Sequence, residues 1–219
     1  MTYILYGAAG SGSVPVEAAL TLMGLPFEVV ETPTWEGDAQ RDRVAAVNPM
    51  RQIPALVTPD GEVLTESAAI LIWLTERHPE AGLAPMPGDP RRGQFLRWMQ
   101  FVPASIYSMY WVRDDLSRLV GENPPAQAEV DRRTLDRIAA CWAMMESQVE
   151  PGRFILGDDL TVLDLYVAVV SRWRPLRARF HAVAPRLGQV ARRVDALPAL
   201  ADFWVRRFPF VGPYADPAE

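Results

Sequence analysis

The chain has 219 residues, 49% of them hydrophobic and 22% charged, a balance that suits a folded protein with one or two packed cores and excludes disorder, collagen and coiled coil. The net charge is −5 and no basic patch stands out, which argues against nucleic acid as a partner. All 22 basic residues are Arg, so a Schiff-base lysine, a Walker-type phosphate lysine and a kinase-type lysine are ruled out together.

Tyr3-Ile4-Leu5-Tyr6 is a β-prone run that ends at Gly7, and Gly10-Ser11-Gly12-Ser13 is a turn rich in residues that tolerate unusual backbone angles. Val16, Ala19, Leu20 and Met23 then recur at helical spacing until Gly24, and Phe27 to Glu31 reads as a second strand. This βαβ unit predicts two parallel strands. A helix over 41–47 follows, then strands at 55–58 and 63–65 joined by the Pro59-Asp60-Gly61 turn as an antiparallel hairpin, then a helix from Ser67 to about Arg77. The order is that of an α/β thioredoxin-like domain over residues 1–77.

Residues 78–90 contain Pro79, Pro85, Pro87 and Pro90 with Gly82 and Gly88, and read as a linker. Beyond it, residues 91–219 form an all-α helical domain, with helices predicted at 91–120, 126–149, 161–173, 186–196 and 199–208. Pro103 should kink the first of these. Thr161 and Asp164 have the spacing of a capping box, with Leu160 and Leu165 as its hydrophobic staple. Cys141, the one cysteine, sits on the apolar stripe of a helix and is expected to be a buried thiol. His78 and His181 share no metal-ligand spacing, so no metal is expected. Apolar runs such as 68–74 and 165–170 are too short to span a membrane, and the N-terminus lacks a basic region followed by a long apolar stretch, so no membrane partner and a cytoplasmic location are expected.

Three segments carry candidate chemistry. Pro54 stands at the entry to the third strand; a cis Ile53-Pro54 bond would leave the Ile53 N–H and C=O facing outward to pair with an extended peptide. Ser67 reads as the N-cap of its helix, whose free N–H groups suit a carboxylate, while Glu66 suits an ammonium. A ligand with an amino-acid end fits both. Ser11 and Ser13 lie between the first strand and the first helix, and no histidine is placed to activate either, so they suit donation rather than attack.

Together, the 6–13 turn, Asn48-Pro49 with Gln52-Ile53-Pro54-Ala55-Leu56, Glu66-Ser67-Ala68-Ala69-Ile70, and Gly157 leading to Thr161 and Asp164 resemble the glutathione S-transferase family, of the cytosolic, bacterial-like and serine-type kind. The resemblance spans nearly the whole chain. It implies glutathione as co-substrate, bound by Gln52, Ile53, Glu66 and Ser67, and a homodimer. It assigns Ser11 as the residue that bonds the thiolate, with Tyr6, Ser13 or a backbone N–H as alternatives. Met50-Arg51 departs from the Lys-Gly that many members carry before the Gln, and Leu163 replaces a small residue before Asp164. Tyr107, Tyr110 and Trp111 share a helical face and are candidates to line a pocket for a small hydrophobic electrophile, although the same stripe also suits core packing. A thioredoxin-like domain without its own cysteine cannot perform dithiol exchange, so a reactive sulfur must arrive with the ligand. The same scaffold also accommodates a glutathione-dependent isomerase, dehalogenase or reductase, or a non-catalytic binding or regulatory protein.

Overall fold

The computed structural model describes residues 2–173 and 177–209; of the region assigned above to helices, 174–176 and 210–219 lie outside it. Four strands form one mixed sheet in the order β2-β1-β3-β4. The strands are β1 (Tyr3–Gly7), β2 (Phe27–Glu31), β3 (Ala55–Val57) and β4 (Val63–Thr65). β1 pairs parallel with β2, Leu5 opposite Val29, and antiparallel with β3, Leu5 opposite Leu56. The β3–β4 hairpin sets Leu56 opposite Leu64. Period-2 alternation buries Tyr3, Leu5 and Gly7 and leaves Ile4 and Tyr6 half-buried on the other face.

Helix α1 (Val14–Leu22) packs against α3 (Ser67–Arg77), and α2 (Asp38–Ala45) follows β2. α2 starts earlier than the apolar pattern predicts because Gly37, at φ 114°, turns the chain into it, and Val44 is its one buried residue. This order matches the predicted thioredoxin-like arrangement.

The remainder is helical. Where the pattern predicts one helix over 91–120, the structure has α4 (Arg92–Phe101), a π-helical segment Val102–Tyr107, α5 (Ser108–Asp114) and α6 (Ser117–Val120). Pro103 has no N–H to give, and the chain absorbs the missing bond as a π turn within a continuous helical path. The break after α5 comes at Asp115, whose extended backbone (φ −156°) lets its side chain accept the Ser117 N–H at 3.1 Å. α7 (Pro124–Gln148), capped by Asn123, precedes α8 (Val162–Val170), which ends at Val170 rather than Trp173. α9 (Arg177–Val183) escaped the sequence pattern because Phe180 and Val183 are its only large apolar residues. α10 (Pro185–Asp195) and α11 (Ala201–Arg207) complete the order.

Every residue of α8 is buried, and it packs on α1, α4 and α10, so the helical and α/β halves share one apolar cluster running from Tyr3 to Phe208. The Val162 N–H donates to the Leu83 carbonyl at 2.9 Å, tying the 78–90 connection to the start of α8. Cys141 is buried with its thiol toward the Ser105 carbonyl at 3.5 Å, and burial pushes that thiol up, as expected of a core cysteine. Among the described residues no helix is long and apolar enough to cross a membrane.

At the start of α8, Asp164 returns to the Thr161 N–H at 2.7 Å as the capping spacing predicts. The Thr161 hydroxyl caps in turn, its oxygen accepting the Asp164 N–H. It donates to the same carboxylate at 2.8 Å, and the Ile155 N–H takes the other oxygen at 2.8 Å. Burial pushes the Asp164 carboxyl up to about 6, against the downward pull of these hydrogen bonds. Asp164→Ala orphans two buried backbone donors at about 1–3 kcal/mol each, so it should cost about 2–6 kcal/mol in urea unfolding. The folded carboxyl titrates above the ~3.9 of an unfolded Asp, so its contribution favours the native state below about pH 4 and is lost as pH rises through about 6. The wild type should show this decline and Asp164→Ala should lack it.

Candidate functional site

A cleft of about 980 Å³ opens between the two halves. From the α/β half it is lined by Ser11, Gln52, Ile53, Glu66 and Ser67, and from the helical half by Tyr107, Tyr110 and Trp111, so the structure brings every sequence-predicted site residue together. Tyr6 and Ser13 are not among its lining residues, and Ser13 is fully buried.

The loop carrying Ser11 turns at Gly10, whose φ of 72° suits a residue without Cβ. The Ser11 hydroxyl accepts the Ser13 N–H at 3.1 Å and lies 2.9 Å from the Ser13 hydroxyl. Gly10 is held by the helical half on both sides: its N–H donates to the Arg207 carbonyl at 2.8 Å, and its carbonyl accepts the Trp173 indole N–H at 2.7 Å. No sequence pattern points to Trp173, since its partner is a backbone group 163 residues away.

Asn48 shapes the second segment, donating to the Gln52 carbonyl at 2.8 Å and accepting the Met50 N–H at 3.1 Å. The Ile53–Pro54 peptide is cis. Arg51 adopts φ 58°, a conformation that favours glycine, and its guanidinium pairs with Asp42 at 2.6 Å and Asp38 at 3.3 Å. Those two carboxylates hold an arginine where the resembling family often has Gly.

The third segment corrects one expectation. Glu66, not Ser67, is the N-cap of α3: its φ is 66° and its carbonyl accepts the Ile70 N–H at 2.9 Å. Ser67 is the first helical residue, with its hydroxyl bonded to the Tyr166 hydroxyl of α8 at 2.8 Å. The free N–H groups that open α3 remain at the cleft. Tyr166, buried in the apolar cluster, lines the cleft as well.

The aromatic wall is built by packing. The Trp173 ring lies 4.5 Å from Tyr107 and 5.2 Å from Tyr110, centroid to centroid, and Arg118 covers the Trp111 ring at 4.6 Å. Burial pushes the Tyr107, Tyr110 and Tyr166 phenols well above their ordinary range, so all three stay protonated. Glu66, Arg113 and Asp114 are the charged residues of the lining, and Arg113 is paired with Asp131 at 2.8 Å. Burial raises the Asp114 carboxyl, partly offset by Arg118 and Arg113.

The Tyr107 hydroxyl sits over Gly12, where a Cβ would come within 2.1 Å of it. Gly12→Ala should therefore displace Tyr107 and raise hydrogen exchange in residues 8–13. Trp173→Phe leaves the Gly10 carbonyl unpaired and should cost about 1–3 kcal/mol, read by thermal unfolding, with the exchange increase confined to the same loop.

Residues 11–77 match the family described as glutathione S-transferase, N-terminal domain. The chain is 28% identical over 199 residues to the uncharacterized GST-like protein YncG of Escherichia coli (strain K12), covering 90% of this chain and 95% of that protein. It is 36% identical over 173 residues to a maleylpyruvate isomerase from Ralstonia sp, covering 74% and 78%. A solved glutathione transferase homolog from sulfitobacter, with bound glutathione, superposes with a TM-score of 0.81 at 25% identity, over 94% of this chain and 98% of that one. With the sheet order, the all-helical second half and these relatives in agreement, the chain belongs to the glutathione S-transferase family.

Proposed function

We propose that the protein is a glutathione transferase: the cleft binds glutathione, the Ser11 hydroxyl stabilises its thiolate, and the sulfur attacks a hydrophobic electrophile lying against Tyr107, Tyr110 and Trp111. The observation that carries this reading is the convergence of polar groups from residues 1–77 and an aromatic wall from the helical region on one cleft. We take residues 1–77 as the glutathione-binding domain, 78–90 as the linker and 91–219 as the helical domain, with two such chains forming a homodimer. In this reading the Ile53 backbone pairs with the cysteinyl unit, Gln52 lies beside the same peptide, and Glu66 with the α3 N-terminus takes the γ-glutamyl ammonium and carboxylate.

The energetics are sufficient. A thiol of pKa ~8.5 is only a few per cent ionised at pH 7, and lowering that value by two units requires a preference for the anion of ~2.7 kcal/mol. A hydrogen bond to a charged group supplies roughly 1.5–3 kcal/mol, and a helix N-terminus adds ~0.3–1. Ser11 lies one short turn ahead of α1, whose Val14 N–H donates to the Ser11 carbonyl at 3.2 Å, so the positive end of that helix stands behind the hydroxyl.

The 36% identity to a maleylpyruvate isomerase favours a second reading, a glutathione-dependent isomerase, in which the thiolate adds to and leaves the same substrate. Retention on immobilised glutathione, followed by product analysis with a generic aromatic electrophile and with an unsaturated oxo-acid, separates the two. A thioether product supports transfer, and an isomer without net glutathione consumption supports isomerisation. Ser11→Ala should keep glutathione retention and lose about 10- to 150-fold in rate, the equivalent of one charged hydrogen bond. An unchanged rate excludes Ser11 as the donor.

A further inference from the structure

Behind Ser11 runs a buried chain of groups. Glu17, on the first turns of α1, is 1% exposed. One of its oxygens accepts the Ser13 hydroxyl at 2.7 Å and the Arg207 Nη2 at 3.1 Å, and the other accepts the Arg207 Nε. Arg207, from the end of α11, also pairs with Glu31 of β2. The Ser13 hydroxyl in turn accepts the Ala8 N–H at 3.1 Å and lies 2.9 Å from Ser11 Oγ, which accepts the Ser13 N–H.

A hydroxyl has one proton. Ser13 has three oxygens within reach, and the Glu17 carboxylate is both the nearest and the charged one, so it takes that proton. Ser13 then cannot donate to Ser11. With no ligand bound, the Ser11 proton turns inward to Ser13. A thiolate in the cleft draws it outward, and Ser13 loses one of its donors.

We propose that Glu17 is a positioning residue that orders the protons of the Ser11–Ser13 pair and thereby tempers ionisation of the bound thiol. This rests on the reading of Ser11 as thiolate donor. Replacing the carboxylate by an amide leaves one acceptor oxygen for two Arg207 donors; when that oxygen turns to take both Nε and Nη2, the NH2 faces Ser13. Ser13 then gives its proton to Ser11, and the Ser11 proton faces the cleft at all times. Removing the Ser13 hydroxyl also leaves the Ser11 proton without an inward acceptor. The charged groups facing this chain are Arg207 and, through it, Glu31; the charged residues of the cleft that Ser11 lines are Glu66, Arg113 and Asp114.

The test follows the ultraviolet absorbance of thiolate against pH for glutathione bound to wild type, Ser11→Ala, Glu17→Gln and Ser13→Ala. S-methylglutathione affinity and thermal unfolding serve as controls for an intact cleft. Ser11→Ala should raise the thiol pKa; if it does not, the donor reading itself fails and the proposal falls with it. With that rise in hand, Glu17→Gln and Ser13→Ala should each lower the pKa by about 0.5–1, a 3- to 10-fold gain in thiolate below the midpoint, as one neutral hydrogen bond is worth. A purely structural role lowers thermal stability and leaves the thiol pKa unmoved. Either variant holding the wild-type value, or raising it, overturns the proposal while leaving Ser11 as donor. If Glu17→Gln does not fold, Ser13→Ala alone decides.

Discussion

The geometry of the site depends on how the backbone of Gly10 is bonded. Its N–H and its carbonyl both go to the helical half, to the Arg207 carbonyl and the Trp173 indole, so the loop that presents Ser11 takes its shape from residues far away in the chain. The far anchor is itself fixed. Arg172, fully buried, donates to the Phe208 carbonyl at 2.6 Å and to Asp195 at 2.8 Å, and so pins the end of α11 that carries Arg207. Buried ion pairs of this kind gain little net stability, because desolvation offsets their attraction. Their effect here is to make one arrangement of loop 8–13 much better satisfied than any other.

The cleft divides its chemistry along the same seam. The α/β side offers backbone groups, a helix N-terminus, a hydroxyl and Glu66; the helical side offers rings. The π turn at Val102–Tyr107 separates α4, whose Phe95, Trp98 and Met99 are core residues, from α5, which turns Tyr110 and Trp111 toward the cleft. One irregular turn thus converts a core-facing helix into a wall of the site. Phenols kept protonated by burial can donate to a ligand without adding charge beside a thiolate.

Two backbone conformations at the site would be costly elsewhere. Arg51 and Glu66 both have positive φ, at 58° and 66°, and lie on either side of the β3–β4 hairpin. Arg51 is compensated by Asp38 and Asp42, and Glu66 by the helix it starts. Neither strain is visible in residue type, since a charged side chain at positive φ has no sequence signature.

Local chemistry alone was enough to read the strands, the Pro59-Asp60-Gly61 hairpin, α1, α3 and α7, because periodicity and turn residues act over a few positions. The segments of the α/β half that meet in the cleft were legible for the same reason: each is a short run whose residue types carry their own local chemistry. What only the tertiary structure decided involves partners distant along the chain. Ser67 pairs with Tyr166 while Glu66 takes the cap of α3, Trp173 lies beyond the end of α8 and holds Gly10, and the isolated acid Glu17 meets Arg207, 190 residues away. Those contacts form only when α8 and α11 close against α1, and a buried polar group must then take whatever partner the packing supplies.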